Sequence, residues 1–238
     1  MSHTIFIRTY AKDADWLHYC LTSCRRVSPE SPIIVVCPKD SHEAIHPLAQ
    51  EFGAAYDTLN PLHEDGYMDQ QYTKLHADQW VHTEYVVHLD SDCVMLRPAA
   101  DLFFNGLPTM IKTPWEDLGP DAVWRDITRE VVGFDPPFEF MRRQPLVYPR
   151  SVYALFRAYL SSNHGGNLAK WFAGLSGRRF SEFNALGAFC HAFLPESFHW
   201  VNTATDPLPA QVARQGWSWG GLVKVRKEWD QLVSGNAY

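Results

Sequence analysis

Apolar positions along this chain fall into short blocks, some continuous or alternating as in strands and some repeating near the helical period of about 3.6 residues. Residues 4–9 (TIFIRT) form an apolar, β-branched block that predicts a buried strand. Residues 13–26 (DADWLHYCLTSCRR) predict a helix, acidic where it starts and basic where it ends, as the helix dipole favours. A second strand is expected over 32–37 (PIIVVC), then a helix over 41–52 with Asp40 or Ser41 as its cap and Gly53 as its stop. Strand, helix, strand, helix is the order of an α/β fold. The spacing next predicts a helix over 70–80 (QQYTKLHADQW) that feeds a strand over 85–89 (YVVHL), and Thr109 to Lys112 adds another strand.

Past Trp115 the texture changes. Proline and aromatic residues punctuate 134–140 (FDPPFEF) and 144–148 (QPLVY), which predicts irregular structure facing a substrate. Helical patterns return over 151–160 and 182–191, separated by a loop at 163–167 (NHGGN), and 198–202 (FHWVN) reads as a short late strand. The tail carries Trp217 and Trp219 and ends in a short amphipathic helix.

Composition narrows the class. With 238 residues, 46% hydrophobic and 20% charged, the chain can bury a sizeable core, and no linker, repeat or low-complexity stretch divides it. A formal net charge of -6 gives no global footprint for a nucleic-acid backbone. The N-terminus shows no basic region followed by a long apolar one, and no window approaches the roughly 18 apolar residues of a membrane span. A cytoplasmic, soluble protein is therefore expected. The five cysteines, Cys20, Cys24, Cys37, Cys93 and Cys190, sit inside apolar segments, which predicts buried free thiols; Cys20 and Cys24 share a helix face but lack the further ligands of a zinc site.

The chemistry centres on Asp90 and Asp92, which follow the strand YVVHL in the segment LDSDCVMLRP. Side chains at i and i+2 of an extended segment point the same way, so both carboxylates can reach one ion. Hard oxygen ligands suit Mg²⁺ or Mn²⁺, with substrate phosphates completing the shell. An Asp-Ser-Asp turn that only bonds its own backbone is the structural alternative.

The stretch YVVHLDSDCVMLRP, with the QQYTKL helix ahead of it, resembles the strand-plus-DXD segment of the GT-A glycosyltransferases. SEFNALGAF and the late FHW are similar to segments of small bacterial and phage proteins assigned to that superfamily. The resemblance implies an α/β, Rossmann-like fold with a mixed central sheet flanked by helices, as one domain over 1–238. Residues 1–112 would form its nucleotide-sugar-binding half and 113–238 its acceptor half. It further implies Mn²⁺ or Mg²⁺ and a nucleotide-diphosphate sugar, a UDP-sugar foremost.

On such a fold the end of the first strand lies beside the base, which makes Arg8, Thr9, Tyr10 and Asp13 candidates for base and ribose contacts. Asp90 and Ser91 join them as donor contacts. Lys74 and Gln71, one turn apart on one helix face, are placed toward the donor phosphates or ribose. The family commonly supplies a further metal ligand from the C-terminal part, and His199 matches it best, ahead of His191 and His164. Glu182 is the candidate base that removes the acceptor proton, although a carboxylate at a helix start also favours the dipole; Asp117 in TPWEDLG competes for the role, with Trp115 beside it as a stacking surface.

The acceptor stays open among glycan precursors, a protein side chain and a hydroxymethylated DNA base, with the acidic charge counting against DNA. Two other readings remain. A metal-dependent nucleotidyl- or phosphoryl-transfer enzyme also uses paired aspartates, but the Gly-rich phosphate loop of such sites is missing from the sequence. A non-catalytic nucleotide-sugar-binding module is the other.

Overall fold

The computed structural model describes residues 1–234, and of Trp219 the backbone alone. In chain order the first part runs β1 (His3–Arg8), α1 (Ala14–Val27), β2 (Ile33–Pro38), α2 (His42–Glu51), β3 (Ala55–Leu59), α3 (Gly66–Lys74), β4 (Tyr85–His88), β5 (Cys93–Met95), β6 (Phe103–Phe104) and β7 (Leu107–Pro114). There follow α4 (Arg125–Val132), β8 (Phe138–Glu139), β9 (Leu146–Pro149), α5 (Ser151–Asn163), α6 (Leu168–Ala173), α7 (Glu182–Phe193), β10 (His199–Asn202), β11 (Ala213–Gln215) and α8 (Arg226–Ser234).

The main sheet has five strands in the order β3-β2-β1-β4-β9. All its pairings are parallel except β4 with β9. Alternation in β1 and β2 explains why both read as continuous apolar runs. Ile5, Ile7, Ile33 and Val35 join Leu17 and Leu21 of α1 in one core, while Phe6, Ile34 and Val36 join Phe156 of α5 and Phe189 of α7 in the other. Each such fully buried side chain contributes roughly 1.5–3 kcal/mol, so a sheet covered on both faces is a rigid platform.

The strand order also locates a crevice. From β1 the chain steps outward through β2 and β3, then returns to place β4 on the other side of β1. At such a switch point the connections leaving the carboxyl ends of the central strands diverge, and a ligand fits between them. Thr9 follows β1 and Asp90 follows β4 at this shared edge, where Phe6 is paired with His88.

Several expectations shift in detail. The helix expected over 70–80 begins at Gly66, because the Asp65 side chain accepts the Tyr67 N–H at 2.8 Å as its cap. It ends at Lys74, where Arg157 takes up the Leu75 carbonyl at 2.7 Å, and Ala77–Gln79 continue as a 3-10 turn. The hydroxyl of Ser41 bonds Asp40 instead of capping α2, which stops at Gly53 with φ 59°. The segment after Trp115, expected to be irregular, holds α4, β8 and β9. β9 is short and ends in Pro149, which an edge strand tolerates; it closes the main sheet against β4. The boundary at 112 falls inside β7, and β9 carries the second half back onto the sheet of the first.

A smaller sheet joins β10, β7 and β6, with β8 on β7, and β11 pairs antiparallel with β5. All five cysteines are buried and free. Among the described residues no helix is long and apolar enough to cross a membrane.

Candidate active site

Asp90, Ser91 and Asp92 form the turn between β4 and β5, facing the switch-point crevice. The Asp92 carbonyl accepts the Gly216 N–H at 2.7 Å, and its carboxylate accepts Ser218 N–H at 2.8 Å on Oδ2 and Gln215 Nε2 at 3.2 Å on Oδ1. The C-terminal segment after β11 thus lies directly along the turn. Ser91 Oγ donates to Asp13 Oδ2 at 3.2 Å. Burial pushes the Asp13 carboxyl up to about 6, helped by the charges of Asp92 and Asp90 and opposed by the Ser91 hydroxyl. Asp92 is raised as well, by burial and by Asp90, against its bonds to Ser218 and Gln215. The charges of Asp90 and Asp92 thus disfavour ionisation of Asp13, a repulsion that a cation beside the pair would relieve.

Lys74 supplies part of that positive charge. Its ammonium is buried at the end of α3 and bonds Asp90 Oδ1 at 2.7 Å and Glu182 Oε1 at 3.0 Å, with the Phe183 ring 4.6 Å below. Burial alone would lower its pKa, but Asp90 and Glu182 outweigh that and raise it. Gln144 Nε2 donates to the other Asp90 oxygen at 3.4 Å. Glu182 opens α7, and its backbone N–H, one of the donors a helix start leaves without a partner, goes to Gln71 Oε1 at 3.0 Å. Ser181 does not cap this helix; its hydroxyl contacts the Met141 sulfur and accepts from Asn184. Helices α3 and α7 are thereby locked together around the Lys74 ammonium.

At the end of β1, Arg8 pairs with Asp69 at 2.7 Å and its guanidinium also reaches the Thr9 carbonyl. Among the described residues, Arg8 Nε, Thr9 Oγ1 and Gln71 Nε2 are buried without a hydrogen-bond partner. Buried polar atoms are nearly always bonded, so these three, at the end of β1 and on α3, are candidates for contacts to a polar ligand. Tyr10 stands partly exposed beside them. Lys74 thus joins Asp90 to Glu182 and through it to Gln71, Ser91 joins Asp13 to the turn that carries Asp90 and Asp92, and Arg8 and Thr9 end the neighbouring strand β1.

Other expected residues lie elsewhere. His199 begins β10, whose pairing with β7 sets it opposite Thr109 in the smaller sheet, and its ring packs on Phe104 at 4.3 Å. His191 contacts Lys112 at 3.1 Å, and His164 stacks on Trp171 at 3.9 Å. Among the described residues no three His, Cys, Asp or Glu side chains are gathered to hold a metal. Asp117 is exposed on the 3-10 stretch Trp115–Asp121 and, among the described residues, has no bond to Asp90, Asp92 or Glu182. Trp115 is buried, with its indole N–H on the Pro136 carbonyl at 2.9 Å, which makes it a core residue and not a stacking platform. Trp217 is half-exposed, and the Trp219 side chain lies outside the described residues. Gln144 and Gln215 are site residues that the pattern alone missed: an isolated glutamine in an irregular segment carries no periodic signal.

No family model matches the chain, and no curated protein does either. Among solved structures, the galactosyltransferase LgtC in complex with donor and acceptor sugar analogs matches with a TM-score of 0.59 at 13% identity, over 98% of this chain and 95% of that one. The chain has the GT-A fold. A second GT-A neighbour, the bifunctional glycosyltransferase WbbM in its apo form, matches at a TM-score of 0.50 and 13% identity over 84% of this chain and 38% of that one. A 4-diphosphocytidyl-2C-methyl-D-erythritol synthase from Anaerococcus prevotii matches at 0.52 and 11% identity, with 96% of each chain covered. At such identities the likeness is one of fold, and a GT-A fold serves both sugar and nucleotidyl transfer.

Proposed function

We propose that the chain is a glycosyltransferase that moves a sugar from a nucleotide-diphosphate sugar, with a UDP-sugar as the expected donor, to a hydroxyl acceptor. The observation that carries this reading is the Lys74 ammonium bridging Asp90 and Glu182 at the carboxyl edge of the β1/β4 crevice. A nucleotide donor is supported by the orphaned polar atoms of Arg8, Thr9 and Gln71 beside it.

Asp90 and Asp92 fit a divalent ion. They are hard oxygen donors, and each of their carboxylate oxygens accepts from an N–H donor, which marks all four as places where positive charge is favoured. Mn²⁺ or Mg²⁺ at this pair would act as a Lewis acid on the departing diphosphate. Lys74 keeps a fixed positive charge beside Asp90, in a buried setting where it needs no reorganisation as negative charge grows on the leaving group. Arg8, Thr9, Tyr10 and Asp13 hold the base and ribose, with Ser91 and Gln71 positioning the donor. Glu182 gives one oxygen to Lys74, and its other oxygen accepts the proton of the acceptor hydroxyl as that oxygen forms the new glycosidic bond. Asp117 is exposed, whereas Glu182 is buried and bonded to Lys74, so Glu182 is the base this reading uses. A DNA acceptor draws no support from the similar structures.

Incubation of the purified chain with UDP-sugars, Mn²⁺ and a panel of hydroxyl acceptors tests the reading by its products. Release of UDP that is lost in Asp92→Ala, with the fold intact by circular dichroism, supports it. Full activity in Asp92→Ala sinks the metal role. The similarity to the 4-diphosphocytidyl-2C-methyl-D-erythritol synthase makes a second assay worthwhile: pyrophosphate released from a nucleoside triphosphate and a sugar phosphate, without UDP release from UDP-sugars, would establish nucleotidyl transfer instead.

A further inference from the structure

β11 is brief, yet it is firmly placed. Gln215 lies opposite Cys93 in the antiparallel pairing with β5, and the next residue, Gly216, donates its N–H to the Asp92 carbonyl at 2.7 Å. A Cβ at Gly216 would fall 2.5 Å from the rings of both Trp16 and Trp229, so only glycine lets the segment run this close. Those two indoles are themselves fixed, edge to face at 4.8 Å in a small apolar core that includes Val94 and Leu222. The backbone at 213–216 is thus pinned alongside the turn that carries Asp92.

From that position the Gln215 side chain reaches Asp92, with Nε2 3.2 Å from its Oδ1. A side-chain amide is two-ended: half a turn about its last bond replaces the N–H₂ donor with a carbonyl oxygen at nearly the same point. Amide oxygens are ordinary ligands for hard divalent ions. His199, by contrast, stands against Phe104 in the smaller sheet. We propose that Gln215 is the third protein ligand of the divalent ion at Asp90 and Asp92, through its amide oxygen. In the metal-free protein the same amide is turned to donate to Asp92. The inference rests on the metal reading above.

The test is Mn²⁺ titration of the full chain without any donor, followed by electron paramagnetic resonance and calorimetry, with circular dichroism on every variant. The wild type should bind Mn²⁺, and Gln215→Ala should bind it roughly tenfold more weakly or worse. Gln215→Glu, which keeps the reach and presents only oxygens, should bind at least as tightly as the wild type and show a larger Mn²⁺-induced rise in Tm. His199→Ala should bind like the wild type. Wild-type affinity in Gln215→Ala, weakened binding in Gln215→Glu, or a loss in His199→Ala as large as that in Gln215→Ala would overturn the assignment of Gln215 while leaving the metal pair standing. No Mn²⁺ binding by the wild type would overturn the metal reading and this inference together.

Discussion

Replacing Asp13 by Asn should make the metal-free protein more stable at neutral pH, although it removes a residue of the site. Asp13 is only 8% exposed, and burial together with the charges of Asp92 and Asp90 lifts its carboxyl from an ordinary 3.8 to about 6. The folded state therefore holds the Asp13 proton more tightly than the unfolded chain. Stability falls as pH rises from about 4 to about 6, and above that the folded protein carries the full cost of an ionised carboxylate among its neighbours. A rise of this size corresponds to roughly 3 kcal/mol. Asn keeps an oxygen to accept the Ser91 hydroxyl and removes the charge. Urea unfolding of both proteins in the presence of a chelator should give Asp13→Asn an advantage of up to about 3 kcal/mol at pH 7.5, or up to roughly 6–12 °C in Tm for a chain of this size. That advantage should close as pH falls toward 4 and shrink when saturating Mn²⁺ replaces the chelator. Equal or lower stability of Asp13→Asn at pH 7.5, or a gap independent of pH, would refute the reasoning.

Lys74→Met strips the buried cation from Asp90 and Glu182 and should cost about 3–5 kcal/mol in chemical denaturation, with a loss below about 1 kcal/mol counting against a tightly held bridge. Gly216→Ala forces a methyl group into the Trp16 and Trp229 rings, which should cost about 1–3 kcal/mol in urea unfolding and loosen the segment along Asp92. Unchanged stability would mean that the segment is not pinned. Glu139 is buried with one carboxyl oxygen unpartnered, and burial lifts it to about 7 against the nearby Arg142. Glu139→Gln should therefore gain stability over the wild type above pH 7 and lose that gain as pH falls toward 4.5, read from Tm across the same range; a gain that persists at low pH would point to another cause.

Much of the first half of the fold was legible because its strands are covered on both faces. β1, β2 and β4 are buried segments rich in β-branched residues, and Ile5, Ile7, Val35 and Val87 are all fully buried in one core. The edge strands were not legible. β3 spends part of its surface in solvent, and β9 is a few apolar residues between prolines, so neither carries a period long enough to read. At the site, Asp90 and Asp92 stand out by their spacing at a strand end, and Lys74 and Gln71 by sharing one helix face. What the spacing does not encode is long-range closure. Gln144 and Gln215 reach the aspartates across 54 and 123 residues of chain, and only the pairing of β11 with β5 brings the second of them there. His199 shows the converse: a histidine in the expected part of the chain is carried into the smaller sheet by its register with β7.

Calorimetric titration of UDP into the wild type and Asp92→Ala, each with and without Mn²⁺, tests the central claim most directly. The account predicts that Mn²⁺ tightens UDP binding to the wild type by at least ~10-fold, and that Asp92→Ala, still folded, shows no such gain. Equal tightening by Mn²⁺ in both proteins, or tight UDP binding that ignores Mn²⁺ altogether, would contradict it.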